Sequence, residues 1–388
     1  MKKQESQYPR LSYWEREVFF KDIDVAIIGS GIVGLSAALS LKELDPSLRV
    51  VVVERGALPM GASTRNAGFA CFGSMSELLE DAGNAGEEEM FALVERRFRG
   101  LQKLRARLGD AALDFQPHGG FELFRADDEA QASFEQCVGQ MAHFNKKLSA
   151  ITGSKETYKV EDKRITDFGF RHISHVIHNC AEGQLHPGKM VMALAHRARE
   201  QGIELIYGTD ILKMEDSASS GVTMETQQGW TIRSKKILVA TNGFARQLLP
   251  QLEVYPARNQ VVITQPIPNL KVKGCFHYDR GYYYFRNIDN RILLGGGRNL
   301  AAEEEQTDRF GINNFIQSAL SQLLRTVVVP HQTFEVDSWW SGILGLGPVK
   351  KPIVERVSPN VCVSVRMGGM GIAIGTLVGE EGATLVLS

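Results

Sequence analysis

Three glycines, Gly29, Gly31 and Gly34, and an acid at Glu54 are the residues of this chain whose spacing has the clearest chemical meaning. The glycines form G-x-G-x-x-G within DVAIIGSGIVGLSAALSLKELDPSLRVVVVERG. A phosphate is bound well by backbone N–H groups at a helix N-terminus, provided that no side chain stands in the way. Gly29 permits the tight turn, Gly31 keeps the pyrophosphate approach open, and Gly34 lets helix and strand pack closely. Glu54 follows Gly34 by 20 residues, where a carboxylate can hold ribose hydroxyls. Its charge argues against a 2′-phosphate. The elements that must position these residues are an apolar strand at Ile23–Ile28, a helix at Ile32–Leu44 and a second apolar strand at Val50–Val53. Together they make a βαβ unit of a parallel sheet. The motif predicts a dinucleotide and does not by itself separate NAD from FAD.

A second group is Tyr282, Tyr284 and Arg286, in HYDRGYYYFRNIDNRILLGGG. They alternate, so on a strand they share one face. That face would offer two phenols and a guanidinium able to grip a carboxylate through two parallel hydrogen bonds. The same pattern also suits an amphipathic strand whose side chains only pack and snorkel. His172, His175 and His178 are spaced by three in a stretch that reads as extended or irregular, and so as polar surface. The five cysteines form no CxxC pair, and HExxH and H-x-x-x-H are lacking, so no metal site is expected.

The segment after the βαβ unit, ERGALPMGASTRNAGFA, resembles the second cofactor segment of the D-amino-acid oxidase superfamily of FAD enzymes. That superfamily includes glycine oxidase, sarcosine oxidase and γ-glutamylputrescine oxidase. The resemblance runs over about residues 22–388, and SYW at Ser12–Trp14 leans toward the γ-glutamylputrescine oxidase type. It implies FAD, held without a covalent bond because no cysteine matches the attachment point. It implies that Glu54 and Arg55 flank the cofactor, that Ser63 and Thr64 donate to the pyrophosphate, and that Arg65, Asn66, Ala67 and Gly68 lie by the flavin ring. By the same similarity the main chain of Ile211 faces the adenine, and Thr241, Asn242 and Gly243 tip a strand beside the cofactor. Gly368, Gly369, Met370, Gly371 and Ile372 would offer N–H groups to the pyrimidine carbonyl, backed by a helix N-terminus. The implied reaction is oxidation of the C–N bond of a small amine or amino acid, by hydride transfer to flavin N5, with oxygen or another electron acceptor. Two departures stand out. Leu344 and Gly369 fall where glycine oxidase and its relatives place carboxylate-binding arginines, and Leu293 falls where sarcosine oxidase has an oxygen-activating lysine. Arg286 is then the best remaining anion contact. A 2-hydroxy-acid or glycerol-3-phosphate-type dehydrogenase, and a flavin-binding module with little turnover of its own, are the alternatives.

The rest of the chain must hold these segments together. Its 388 residues are 43% hydrophobic and 23% charged with net charge −1, which gives no basic field for nucleic acid. No uncharged apolar run is long enough for a membrane span, and scattered thiols with no apolar leader predict a cytoplasmic protein. Helices are expected over about 76–108 and 128–151, from Lys189 to Gln201 and from Asn314 to Leu324. Strands are expected at Gly119–Arg125, from Ile203, at Val222–Thr226 and Trp230–Arg233, from Lys235, at Val261–Thr264, Gly281–Arg286 and Arg291–Gly295, and near Val361–Val365. The expected fold is α/β: a discontinuous Rossmann-type FAD-binding domain (22–75, 170–255 and 335–388) with an inserted α+β substrate domain on a mostly antiparallel sheet (76–169 and 256–334). Residues 1–21 read as an N-terminal arm, with Tyr13, Trp14, Val18, Phe19 and Phe20 packed on the domain surface.

Overall fold

The structure is a computed structural model that describes residues 8–388. Its first sheet is built on the βαβ unit. Ile23–Ile28 lies between Val50–Val53 and Thr231–Val239 and pairs parallel with both, Ile28 standing opposite Val53 and Val239. Glu204–Ile206 extends the parallel array on one side, Val361–Val365 on the other, and Ile353–Ser358 closes that edge antiparallel. The strands Ile23–Ile28 and Val50–Val53 are dominated by buried Val and Ile because helices and connections cover both faces. Thr231–Val239 is one strand where the sequence pattern suggests two. Its first half pairs with the hairpin arm Gly221–Thr226, and its second half enters the parallel sheet. The hairpin's outer strand, Ile211–Ser217, carries mostly exposed side chains on both faces, so no apolar alternation marks it in the sequence.

The helix Ile32–Leu44 has to come very close to the strand that feeds it. Gly29 has φ +106°, and a Cβ built on Gly34 would lie 2.0 Å from the Gly29 carbonyl oxygen. The C-terminal helix, Gly371–Leu387, packs against Ile32–Leu44 and Glu87–Leu108. Its Gly379 sits where a Cβ would be 2.6 Å from the Val33 carbonyl oxygen, and Gly100 meets the Ala373 carbonyl in the same way. These contacts draw two helix N-termini, at Ile32 and Gly371, toward the same cavity.

The second sheet runs in the order Val336–Leu346, Tyr255–Thr264, Arg291–Gly296, Tyr283–Ile288, Cys275–Tyr278, Gly120–Arg125, Ile173–Asn179, Tyr158–Val160. Every pair is antiparallel except Cys275–Tyr278 with Gly120–Arg125. Ile173–Asn179 and Val336–Leu346 therefore belong to this sheet, although the sequence assigns both to the FAD-binding unit. One face carries a stack of phenylalanines, with ring centroids 4.8 Å apart for Phe276 and Phe285 and 5.0 Å for Phe121 and Phe276. Strand alternation sends the neighbouring residues, His277 and its cross-strand partner Tyr284, to the other face.

In the arm, Ser12 and Glu15 form a capping box that starts a short helix. Phe20 packs near Trp230, whose Nε1 donates to the Pro9 carbonyl. Tyr13, Trp14, Val18 and Phe19 stay exposed, so the expected packing holds only at Phe20. The arm's first seven residues lie outside the described region. Among the described residues, no helix is long and apolar enough to cross a membrane.

Gly34→Ala should lower folding stability by about 3 kcal/mol or more, because the clash is with backbone that cannot move without opening the sheet. Thermal and denaturant unfolding would show it. A variant that unfolds with the parent would mean that helix and strand separate freely at this point.

Candidate active site

A cavity of about 750 Å³ is lined by residues from both sheets, among them Gly29 and Glu54, which follow strands of the first, and His277 and Tyr284 of the second, together with Glu77 and Lys350. Glu54 is fixed by Ser30, which donates to Oε2 from its N–H at 3.0 Å and its hydroxyl at 2.9 Å, and by the Gly56 N–H on Oε1. Ser63 accepts the Ile32 N–H at 2.9 Å and forms the wall opposite Gly31, where a Cβ would lie 2.9 Å from its Oγ. Gly31 thus faces both the cavity and a second segment of the chain. Arg55 stacks over Phe244 at 3.9 Å and Arg65 over Phe310 at 4.5 Å, which brings two cations to the rim.

Most residues singled out in the sequence line this cavity: Gly29, Gly31, Glu54, Arg55, Ser63, Arg65, Asn66, Ala67, Ile211, Thr241, Asn242, and Gly368 through Ile372. Four others hold its walls from behind. Gly34 touches Gly29, and a Cβ on Gly243 would strike the Leu344 carbonyl at 2.4 Å. Gly68 has φ +80° and abuts Leu185. Thr64 donates its hydroxyl to the carbonyl of Pro59, a lining residue. Asn66 bonds within its own loop, and Asn242 clasps two segments by accepting the Arg366 and Met367 N–H groups at 3.1 and 3.2 Å.

The cavity suits FAD in three respects. The Thr241 hydroxyl, which lines it, is buried with no partner. A Cβ on Gly368 or Gly369 would meet nothing within 4 Å, so the C-terminal turn presents open backbone. The N-terminus of Gly371–Leu387 points to the same place.

On the second sheet the structure departs from the sequence expectation. Tyr282 is half-exposed at the mouth, and Tyr284 lines the interior. Arg286 shares their face, but the Gly68 backbone lies across it. Its Nη1 donates to the Gly68 carbonyl at 3.4 Å, and it is 4% exposed and does not line the cavity. Arg286 thus lies beneath the Gly68 loop and outside the lining, with its Nε left without a partner. Leu344 is in the lining and Leu293 packs with Ala67 and Val261.

The sequence reading missed the groups that stand in its place. His277 lines the cavity, its Nε2 is buried without a partner, and burial draws its pKa down against the opposing pull of Glu77. Asn259 donates to the Tyr284 oxygen at 2.9 Å, and burial keeps that phenol protonated. Burial opposes the ionisation of Glu77, but Arg97 and Lys350 outweigh it and hold the carboxyl below its usual range. Cys71, Glu182 and His277 bring possible metal-ligand atoms within 4.8 Å of one another, a grouping no sequence spacing reveals. Glu182 accepts the Phe72 and Gly73 N–H groups at 2.8 and 3.1 Å, yet burial pushes its pKa up to about 7. Of the histidines spaced by three, His175 contacts Asp162 at 2.8 Å and His178 stacks on Phe121, each in a separate contact.

A family model described as FAD dependent oxidoreductase matches residues 24–385. The probable oxidoreductase OrdL of Rhizobium meliloti is 26% identical, over 96% of this chain and 86% of its own length. The gamma-glutamylputrescine oxidoreductase of Escherichia coli is 24% identical, over 94% of this chain and 83% of its own. Among solved structures, L-proline dehydrogenase from P. horikoshii superposes with a TM-score of 0.74 at 18% identity, covering 95% of this chain and 94% of that one.

Two outcomes follow from this geometry. Gly31→Val should abolish retention of FAD, since the branched side chain must displace Ser63 or fill the cavity; a full flavin complement per chain in the purified variant would contradict it. Glu182 carries a folded pKa near 7 against 4.5 for the free carboxyl. The folded state then binds the extra proton, so stability is full below pH 4.5 and is lost as pH rises toward 7. Glu182→Gln should match the parent in denaturant unfolding at pH 4.5 and exceed it by about 3 kcal/mol at pH 8. An equal gap at both pH values would remove the buried charge as the cause.

Proposed function

Since the chain belongs to the FAD-dependent oxidoreductase family, we propose that it oxidises the C–N bond of a small amine or amino acid held against Tyr284 and His277. The observation that carries this reading is that His277, whose Nε2 has no partner, and its cross-strand neighbour Tyr284 line the same cavity as Gly29 and Glu54. FAD, held without a covalent bond by the residues that line that cavity, supplies the acceptor for a hydride, taken up at flavin N5. The relatives named for γ-glutamylputrescine and L-proline, both amines, support the substrate class.

The chain's own part is to bind, orient and deprotonate. An alkylammonium has no lone pair on nitrogen and must lose a proton before its carbon gives up hydride. His277 takes that proton on whichever ring nitrogen carries no proton of its own. Burial keeps the imidazole neutral and ready to accept it. Glu77, ionised nearby, stabilises the imidazolium that results. Asn259 engages the Tyr284 oxygen, so the phenolic hydrogen is free to point at the substrate. Phe69, edge-on to both rings at 5.4 and 5.6 Å, excludes water from this corner. The five free thiols, four of them buried, suit a reducing cytoplasm.

His277 must be neutral to accept the proton. The rate of flavin reduction per amine concentration should therefore fall as pH drops through a value below the ordinary histidine pKa. His277→Asn should cost about 10²-fold at neutral pH and remove that acid limb. An unchanged profile in a variant that keeps its FAD would take His277 out of the proton path.

A further inference from the structure

Beyond the reacting corner, the cavity touches a charged group on the helices Met75–Ala85 and Glu87–Leu108. Arg97, 3% exposed, donates to the Phe72 carbonyl at 2.8 Å and stands 3.6 Å from Glu77. Asp81, 8% exposed, has one carboxylate oxygen, Oδ2, with no partner. The ammonium of Lys350 reaches in from the turn after Val336–Leu346, 2.7 Å from Asp81 Oδ1 and 3.4 Å from Glu77 Oε1. Two carboxylates face the single built-in cation of Arg97, so the cluster is neutral only while one further cation sits in it. Lys350 supplies that cation from a side chain that is 52% exposed and free to swing into water.

We propose that Glu77 and Asp81 form a second ammonium site, for a cationic group that the substrate carries away from the bond being oxidised, and that Lys350 fills this site until substrate displaces it. The inference rests on the amine-oxidation reading and narrows it to amines with a second positive charge, such as α,ω-diamines. Glu77 and Lys350 line the cavity, so a chain lying along it reaches both His277 and this site. Glu80, also in the lining, adds negative charge, and a distal carboxylate would be repelled. The unpartnered Asp81 Oδ2 gives a primary ammonium, with its three donors, an acceptor that Lys350 leaves unused.

The test uses the FAD-loaded full chain with its flavin chemically reduced, so that amines bind without turnover. Calorimetric affinities are compared for α,ω-diamines of three to six carbons and for monoamines of equal length. At its best length the diamine should bind about tenfold or more tightly than the monoamine, as expected for charge-assisted hydrogen bonds. Lys350→Met should tighten diamine binding further, by severalfold, because it removes the internal competitor; a residue that only braces the fold could not give that gain. Asp81→Asn should reduce the diamine preference toward one. Equal affinities for diamines and monoamines, or weaker diamine binding in Lys350→Met, would overturn the proposal. Those results leave amine oxidation standing if amines still reduce the oxidised flavin, whereas flavin that no amine reduces overturns that reading and this one together.

Discussion

The architecture depends on how closely two helices approach the backbone that precedes or flanks them. At Gly34 the helix Ile32–Leu44 meets the Gly29 carbonyl with no room for a Cβ, and at Gly379 the last helix meets the Val33 carbonyl in the same way. Separate these backbones by one methyl group and the N-termini at Ile32 and Gly371 no longer converge on one cavity. The Val- and Ile-rich central strands follow from this constraint, since a sheet covered on both faces has few polar positions to spare. The chain spends 326 residues, 45–370, between the two helices, and the close fit must be made across that whole interval.

The second sheet solves a different problem with the period of two. Phe276 and Phe285 commit one face to an aromatic core, which leaves His277 and Tyr284 no choice but the other. Gly295, opposite Tyr284, leaves the space in which its phenol lies. What the alternation does not decide is what covers that second face. Over Tyr284 it is the cavity, and two residues on, over Arg286, it is the backbone of Gly68.

That difference marks the limit of what the residues alone disclose. The βαβ unit and its caps are local, and Ile23–Ile28, Ile32–Leu44 and Val50–Val53 can be read from apolar runs and glycine spacing. The shared face of Tyr284 and Arg286 is equally legible. Whether either touches a substrate depends on a loop about 220 residues earlier in the chain, which no spacing records. His277 lies in a stretch already marked as substrate-facing, but its free Nε2 emerges only when its neighbours are placed. Glu77, Asp81 and Lys350 meet across some 270 residues. Ile211–Ser217 was unreadable for the opposite reason, since an edge strand exposed on both sides has no pattern to show.

The proposed reaction would join these parts, with the carboxylate of Glu54 and open backbone for a dinucleotide's ribose and phosphates and a neutral imidazole beside a protonated phenol for the C–N bond. The central claim, that this cavity reduces flavin at the expense of an amine, is tested most directly by anaerobic mixing. The FAD-loaded protein is combined in turn with primary and secondary amines, D- and L-amino acids and 2-hydroxy acids, and the oxidised flavin absorbance is followed. The account predicts bleaching by at least one amine or amino acid and none by the hydroxy acids. Bleaching by hydroxy acids alone, or flavin that stays oxidised with every compound, would contradict it.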